Sequence, residues 1–425
     1  MAGVVIASII VLAALYLIAT EKFDKVIVSS TGALLMIICG GFLGFYSQKK
    51  ALLAIDFNTL GLLLGMMIMA AILKRTGFFT YIAISLAKLS KGKPWFLMAL
   101  LGVSTAFLSM LVDNVTTIVI IAPISILVCD ILGITPLPIL MAEILLSIIG
   151  GVATLVGDPP NIFIGSAAGF GFNDFLKNLF PVTVVTIFYS LFILKFIHRK
   201  HLLDKPSNFQ AVLNIDTRKT IKDPRGMKKC LFALIVTFTL FFLHDYINFY
   251  PSFIALIGAG LAFLLLRPDP QEIFHDIEWP VLAFFTCFFV IVGGLQETGI
   301  LSLIAKKTTV LADIDVRLYK VALLWVTGIF SSMIGAVPFT MVMLPVMKTL
   351  SGFGINGDSL WWVLALGVGF GANGLPVGHA ASILGIELSK KSRSPITIKT
   401  WLSSATVVTV VSLLAVTVLI LAGLF

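Results

Sequence analysis

The sequence predicts an all-α polytopic membrane protein built as an inverted repeat of two five-element halves, each with a re-entrant helical hairpin and a broken helix. Three observations predict it. Hydrophobic residues make up 59% of the 425 residues against 12% charged, mean hydropathy is +1.07, and apolar runs reach the roughly 20 residues needed to cross about 30 Å of hydrocarbon. Two apolar regions, 94–171 and 321–388, are interrupted by Gly, Pro, Asp and Asn. The halves also align at a constant offset of 222 residues. A soluble chain with an outsized core does not tolerate so little charge.

The elements follow in order. Runs at 2–19, 26–46 and 58–73 read as spans, and the first lacks the basic flank and small-residue cleavage site of a signal peptide, so it reads as a retained span. A short helical arm at about 78–90 precedes the stretch 94–130, which is too long for one span, with Asp113-Asn114 near its middle. The economical fold is a hairpin turning at that pair. At 137–170 the run GGVATLVGDPPN interrupts a further apolar stretch. Pro159-Pro160 ends one half-helix and starts another, and such non-helical backbone is tolerated at membrane depth only inside protein or lining a cavity. A span at 178–197 completes the first half, 1–197. The linker 198–229 carries nine Lys or Arg and three Asp, which the positive-inside rule places in the cytoplasm against anionic headgroups. The second half, 230–425, repeats the plan: spans at 230–247, 252–266 and 279–294, an arm at about 300–311, a hairpin at about 321–350, a broken helix at about 360–388 and a last span at 402–425.

The repeat is read residue by residue. Asp56 matches Glu278, Leu60 matches Leu282, Thr76-Gly77 matches Thr298-Gly299, Val115 matches Val337 and Pro123 matches Pro345; at an offset of 221, Gly157 matches Gly378. An odd number of crossings per half turns the second half upside down, the plan of many secondary transporters, with the site at mid-membrane where discontinuous helices end.

The first tip, SMLVDNVTTIVIIAPI, places Asp113 in the membrane, where a carboxylate costs about 2.5–3.5 kcal/mol on insertion scales and marks a functional position. No Lys or Arg stands at nearby helical spacing, so a cation or a proton is its expected partner. Asn114, Thr116 and Thr117 offer neutral oxygens for a hard cation or an oxyanion, or for local bonds. The break contributes Gly151, Thr154, Gly157, Asp158, Pro159 and Asn161; Asp158 suits a ligand or proton, or a helix cap. Glu143, two turns before the break with Ser147 at i+4, reads as a proton carrier or as a neutral acid bonded to a neighbouring helix. In the second half Gly335-Ala336 replaces Asp113-Asn114, and His379 stands where Asp158 does. Pro338 and Phe339 shape the second tip without charge, while Asn373, Gly374, Gly378, His379 and Ser382 line the second break. Proton coupling is therefore assigned to Asp113, Asp158, Glu143 and His379.

Cys39, Cys129, Cys230 and Cys287 show no CxxC spacing, and the five histidines no metal-ligand spacing, so neither a metal nor another cofactor is expected. No GxxxxGK[ST] occurs, which excludes a pump fuelled within this chain and leaves room for a partner ATPase. Nothing aromatic interleaves the basic linker, so no nucleic-acid partner is expected. No nucleophile stands with a matching His and acid, so the chain does not read as an enzyme.

The runs DNVTTIVIIAPI and GGVATLVGDPPNIFIGSAAG resemble the ion transporter superfamily, in particular the ArsB/NhaD group, which includes arsenite-efflux permeases, sodium/proton antiporters, the melanosomal P protein and plant silicic acid efflux carriers. The resemblance spans essentially the whole chain. It implies an elevator-like motion, often a homodimer, and a site at Asp113-Asn114 and Gly157-Asp158-Pro159-Pro160-Asn161. The second half departs from the group: Gly335-Ala336 stands where many members carry Asp-Asn, and GANGLPVGHAAS where GGNGTLIGASAN is common. That loss argues against two sodium sites and for proton coupling. The expectation is thus a proton-coupled secondary transporter of a small inorganic solute in a bacterial inner membrane, arsenite export first, sodium/proton antiport second and carboxylate transport third.

Overall fold

The structure is a computed structural model and describes residues 2–20, 22–203, 206, 208–312, 315–352 and 357–425. Its first half comprises α1 (Ala2–Thr20), α2 (Lys25–Phe42), α3 (Gln48–Ala54), α4 (Phe57–Arg75), α5 (Phe78–Leu89), α6 (Pro94–Leu111), α7 (Asn114–Leu132), α8 (Leu137–Gly151), α9 (Pro159–Ala168), α10 (Phe172–Asn178) and α11 (Phe180–Ile197). The linker holds α12 (Phe209–Leu213). Then come α13 (Pro224–Ile247), α14 (Pro251–Leu266), α15 (Pro270–His275), α16 (Trp279–Glu297), α17 (Ile300–Ala312), α18 (Val316–Ile334), α19 (Ala336–Gly352), α20 (Gly357–Gly371), α21 (Ala380–Ser389) and α22 (Ile398–Leu421). Among the described residues ten helices are long and apolar enough to cross a membrane. The protein is a multi-pass membrane protein, all-helical among the described residues.

The repeat is visible helix by helix. α4 and α16 are both 19 residues long and keep the offset of 222. Hairpin α6–α7 corresponds to α18–α19, and broken helix α8/α9 to α20/α21. Small residues lock each hairpin onto its broken helix. A Cβ on Gly150 of α8 would lie 2.7 Å from Ala106 Cα of α6, and one on Gly371 of α20 would lie 2.7 Å from the Gly328 carbonyl carbon of α18. These are equivalent positions, and backbone approach of this kind is how helices associate where lipid offers no hydrophobic drive.

The ends of the bundle are tied differently. At the linker end Lys222 N–H donates to Thr76 O (2.9 Å) and Arg75 pairs with Asp276 (2.6 Å) and Glu272. At the opposite end Lys50 pairs with Glu297, Asn58 donates to Ser166 Oγ (3.4 Å), and Ser252 N–H donates to Asn58 Oδ1 (3.2 Å). Hairpin α6–α7 enters from the linker end and α18–α19 from the opposite end, so the halves run in opposite senses. The hairpins, broken helices, α11 and α22 pack as one body, against which α1–α4 and α13–α16 form the surround. The second hairpin begins at Val316 rather than at 321, because Asp315 caps it by accepting from Arg317 N–H (2.7 Å). The charged first turn hid that start from a hydropathy reading.

Candidate functional site

Asp113 occupies the N-cap of α7, where Oδ1 accepts from Thr116 N–H (2.8 Å) and its carbonyl accepts from the Thr117 hydroxyl (2.9 Å). The tip is then stitched to the first break. Thr154 donates its hydroxyl to Met110 O (2.6 Å) and accepts from Gly157 N–H (3.0 Å). Asn161 lies one turn into α9 and donates to the carbonyls of Val152 (3.0 Å) and Thr154 (2.8 Å), acceptors left open where α8 ends. Gly157 is required there, since a Cβ would lie 2.8 Å from Ser109 O and 2.9 Å from Gly151 Cα.

The second break meets the first through one histidine. His379 caps α21 with Nδ1, which accepts from Ala381 N–H (3.1 Å), so the imidazole proton sits on Nε2. That Nε2–H faces Asp158 Oδ1 at 3.2 Å. It also faces the Asn114 carboxamide oxygen at 3.2 Å, while the Asn114 nitrogen donates to Gly157 O (3.0 Å) and Ser147 O (3.1 Å). The hairpin tip and both breaks thus converge on His379. Asp158 makes no capping bond to α9, whose first two residues are prolines. The helix-cap reading of Asp158 therefore gives way to a bond across the repeat. Its second oxygen is buried without a hydrogen-bond partner among the described residues, a state that has a desolvation cost.

Beside this junction lies a cavity of about 140 Å³ lined by Asp113, Asn114, Pro159, Pro338, Gly378 and His379 together with Lys25 and Glu278 from the surround. The other sequence-predicted residues stand around it. Thr116 lines a smaller adjoining pocket with Lys74, Asp276 and Glu278. Gly151, Thr154, Gly157, Asp158 and Asn161 form the seam behind the cavity rather than its wall, and Thr117 is spent on Asp113. Phe339 stacks on Phe330 at 5.9 Å and stays out of it. The carboxamide of Asn373 and the hydroxyl of Ser382 are buried without partners among the described residues, while Thr406 donates to Gly374 O (2.6 Å). Glu143 is fully buried between α8 and α7, where it accepts from Ser125 Oγ (2.5 Å); Ser147 instead donates to Ile144 O (2.8 Å). At the second tip Gly335 has φ of +105°, which favours glycine and leaves no side-chain oxygen there.

Lys25 and Glu278 were not among the residues assigned to the site from sequence. Both begin helices of the surround, and only the tertiary fold brings them to the tip. The match of Glu278 with Asp56 was the one available signal. Phe163, Phe285 and Phe289, in edge contacts of 5.1 and 5.5 Å, separate the cavity from a recess of about 390 Å³ at the opposite end. Among the described residues no group of three His, Cys, Asp or Glu is placed to hold a metal ion.

The family description for citrate transporters (CitMHS) matches residues 15–367. The chain is 35% identical over 415 residues to a 46 kDa membrane protein of Mycobacterium leprae, and equally to an uncharacterized transporter of Mycobacterium tuberculosis, with 96% of each chain covered in both cases. It is 28% identical to the P protein of Sus scrofa over 90% of this chain and 55% of that one. The fold is similar to that of the YdaH transporter of Alcanivorax borkumensis, with a TM-score of 0.59, 18% identity and 86% and 85% of the two chains covered.

Proposed function

The chain belongs to the citrate transporter family and is a secondary transporter rather than an enzyme; we propose that it exchanges protons for a small inorganic solute of little or no negative charge, with arsenite export the leading assignment. The observation that carries this reading is the lining of the cavity, which among the described residues holds two carboxylates, Asp113 and Glu278, one lysine, Lys25, one histidine, and no arginine. A di- or tricarboxylate would meet like charge there without the bidentate guanidinium that carboxylate recognition favours. Neutral As(OH)₃ needs only hydrogen-bonding oxygens and nitrogens, which Asp113, Asn114 and His379 supply.

In this reading the basic linker is cytoplasmic, and Asp113, Asp158 and His379 hold and pass the proton while the hairpin-bearing body moves against the surround, as in an elevator. Glu143 serves as a reserve acid two turns from the break. A second reading, carboxylate transport, is favoured by the helix amino termini that the hairpins and broken helices bring to the cavity, those of α7, α9, α19 and α21, whose dipoles attract anions.

The experiment is reconstitution into vesicles holding a preset proton gradient and a pH dye, with arsenite, Na⁺, Li⁺, citrate and succinate added in turn. Dissipation by arsenite alone is expected. A response to citrate or succinate and none to arsenite transfers the assignment to the second reading, and a response to Na⁺ alone to sodium/proton antiport.

A further inference from the structure

Among the described residues the Glu278 side chain makes no hydrogen bond that shapes the fold. Its repeat partner Asp56 caps α4, accepting from Asn58 N–H (3.0 Å), Thr59 N–H (3.2 Å) and the Thr59 hydroxyl (2.7 Å). Glu278 holds the same N-cap position on α16 and makes no capping bond. Its side chain, one methylene longer, instead lines both the central cavity and the small pocket leading toward the linker end. The two acids therefore differ in role. Asp56 lines a recess at the opposite end of the bundle, and the tip that an exchange of repeat conformations would bring to it carries Gly335 in place of an acid. The pairing of a mobile-body acid with a surround acid is thus available at the linker end alone.

We infer that Glu278 is the residue to which Asp113 hands its proton on the linker side, which ties proton release to the state in which the first hairpin tip and the start of α16 line one cavity. This rests on the proton-coupled reading above. The transfer is a simple exchange: the proton leaves Asp113 Oδ, binds a Glu278 Oε, and passes from there to water, restoring the Glu278 carboxylate. The charged and titratable groups facing Glu278 are Asp113 of the tip, Lys25 of α2, Lys74 of α4, Asp276 beside α15, and His379 across the cavity. Burial and then Asp113 push the Glu278 carboxyl above the usual carboxylate range, with Lys74 acting in the opposite sense. An acceptor must be deprotonated to receive, so proton delivery increases with linker-side pH.

The test compares wild type with Glu278→Gln and Glu278→Asp in vesicles, reading arsenite-driven proton movement and, separately, arsenite exchange at equal concentrations, which needs no net proton transfer. Removing a positioned proton acceptor is expected to lower proton-coupled flux by about a hundredfold in Glu278→Gln, and exchange, which loses only a polar contact in the cavity wall, by far less. Its dependence on linker-side pH should flatten, and Glu278→Asp should restore part of both. Wild-type coupled flux and pH profile in Glu278→Gln would overturn the inference alone, as would equal loss of exchange and coupled flux, which assigns Glu278 a structural role. Failure of the wild type to move protons with arsenite would overturn the proton-coupled reading itself, and this inference with it.

Discussion

Replacing His379 by alanine removes two things the structure shows separately. One is the cap of α21, the Ala381 N–H to Nδ1 bond of 3.1 Å; the other is the Nε2–H that faces Asp158 Oδ1 at 3.2 Å. Loss of a cap costs about 0.5–2 kcal/mol and a newly unpaired buried acceptor about 1–3 kcal/mol, so His379→Ala should destabilise the protein by about 1.5–5 kcal/mol. Asparagine is a good cap but too short to reach Asp158, so His379→Asn should recover about 1 kcal/mol of that loss. The assay is equilibrium unfolding in mixed micelles, with a double-mutant cycle against Asp158→Ala. The cycle isolates the cross-repeat bond, for which polar pairs in membrane proteins suggest a coupling of about 0.6–2 kcal/mol. If the two single substitutions simply add, the bond joining the two breaks contributes nothing and the description of the junction is wrong.

Further outcomes follow from other positions. Gly150→Ala should lower the unfolding free energy by about 1–3 kcal/mol, because the new methyl meets the backbone of Ala106 rather than a flexible side chain; an unchanged melt would contradict the described packing of α6 on α8. Ser125→Ala strips Glu143 of its only hydrogen-bond donor among the described residues, so stability should fall by about 1–3 kcal/mol; a simultaneous loss of coupled flux, measured in vesicles, would make Glu143 part of the proton route. Phe163→Ala should open a leak of arsenite across the aromatic partition, seen as gradient-independent efflux. His198, at the end of α11 and bonded to Ser404 Oγ (3.1 Å), is pushed down to about 4 by burial and then by His201. Its depressed value means the unfolded chain binds the proton first, so the stability it contributes is complete above about 6.5 and is lost as pH falls from there toward 4. The midpoint of His198→Asn should accordingly fall less than that of wild type over this window.

The hairpin and the broken helix were legible in sequence because membrane depth tolerates few reasons for Asp113-Asn114 or GDPPN, and the constant offset located their counterparts. Helix starts such as Val316 were less legible, since a charged first turn at a membrane boundary looks like loop. The bond from Asp158 to His379 links positions 221 apart; repeat arithmetic paired these residues as equivalents, but equivalence gives no contact. Lys25 and Glu278 escaped because each stands at the head of an ordinary apolar helix, and only the packing of the surround against the first tip turns them inward. The carboxamide of Asn373, buried without a partner among the described residues, belongs to the same class: such burial is a property of three dimensions.

The most direct trial of the account is arsenite-driven proton movement in vesicles bearing Asp113→Asn beside wild type. Asparagine keeps the cap of α7, so the variant should insert and fold normally. Proton movement coupled to arsenite in the wild type and its absence in the variant is the predicted result; coupled movement at the wild-type rate through Asp113→Asn would contradict the account at its centre.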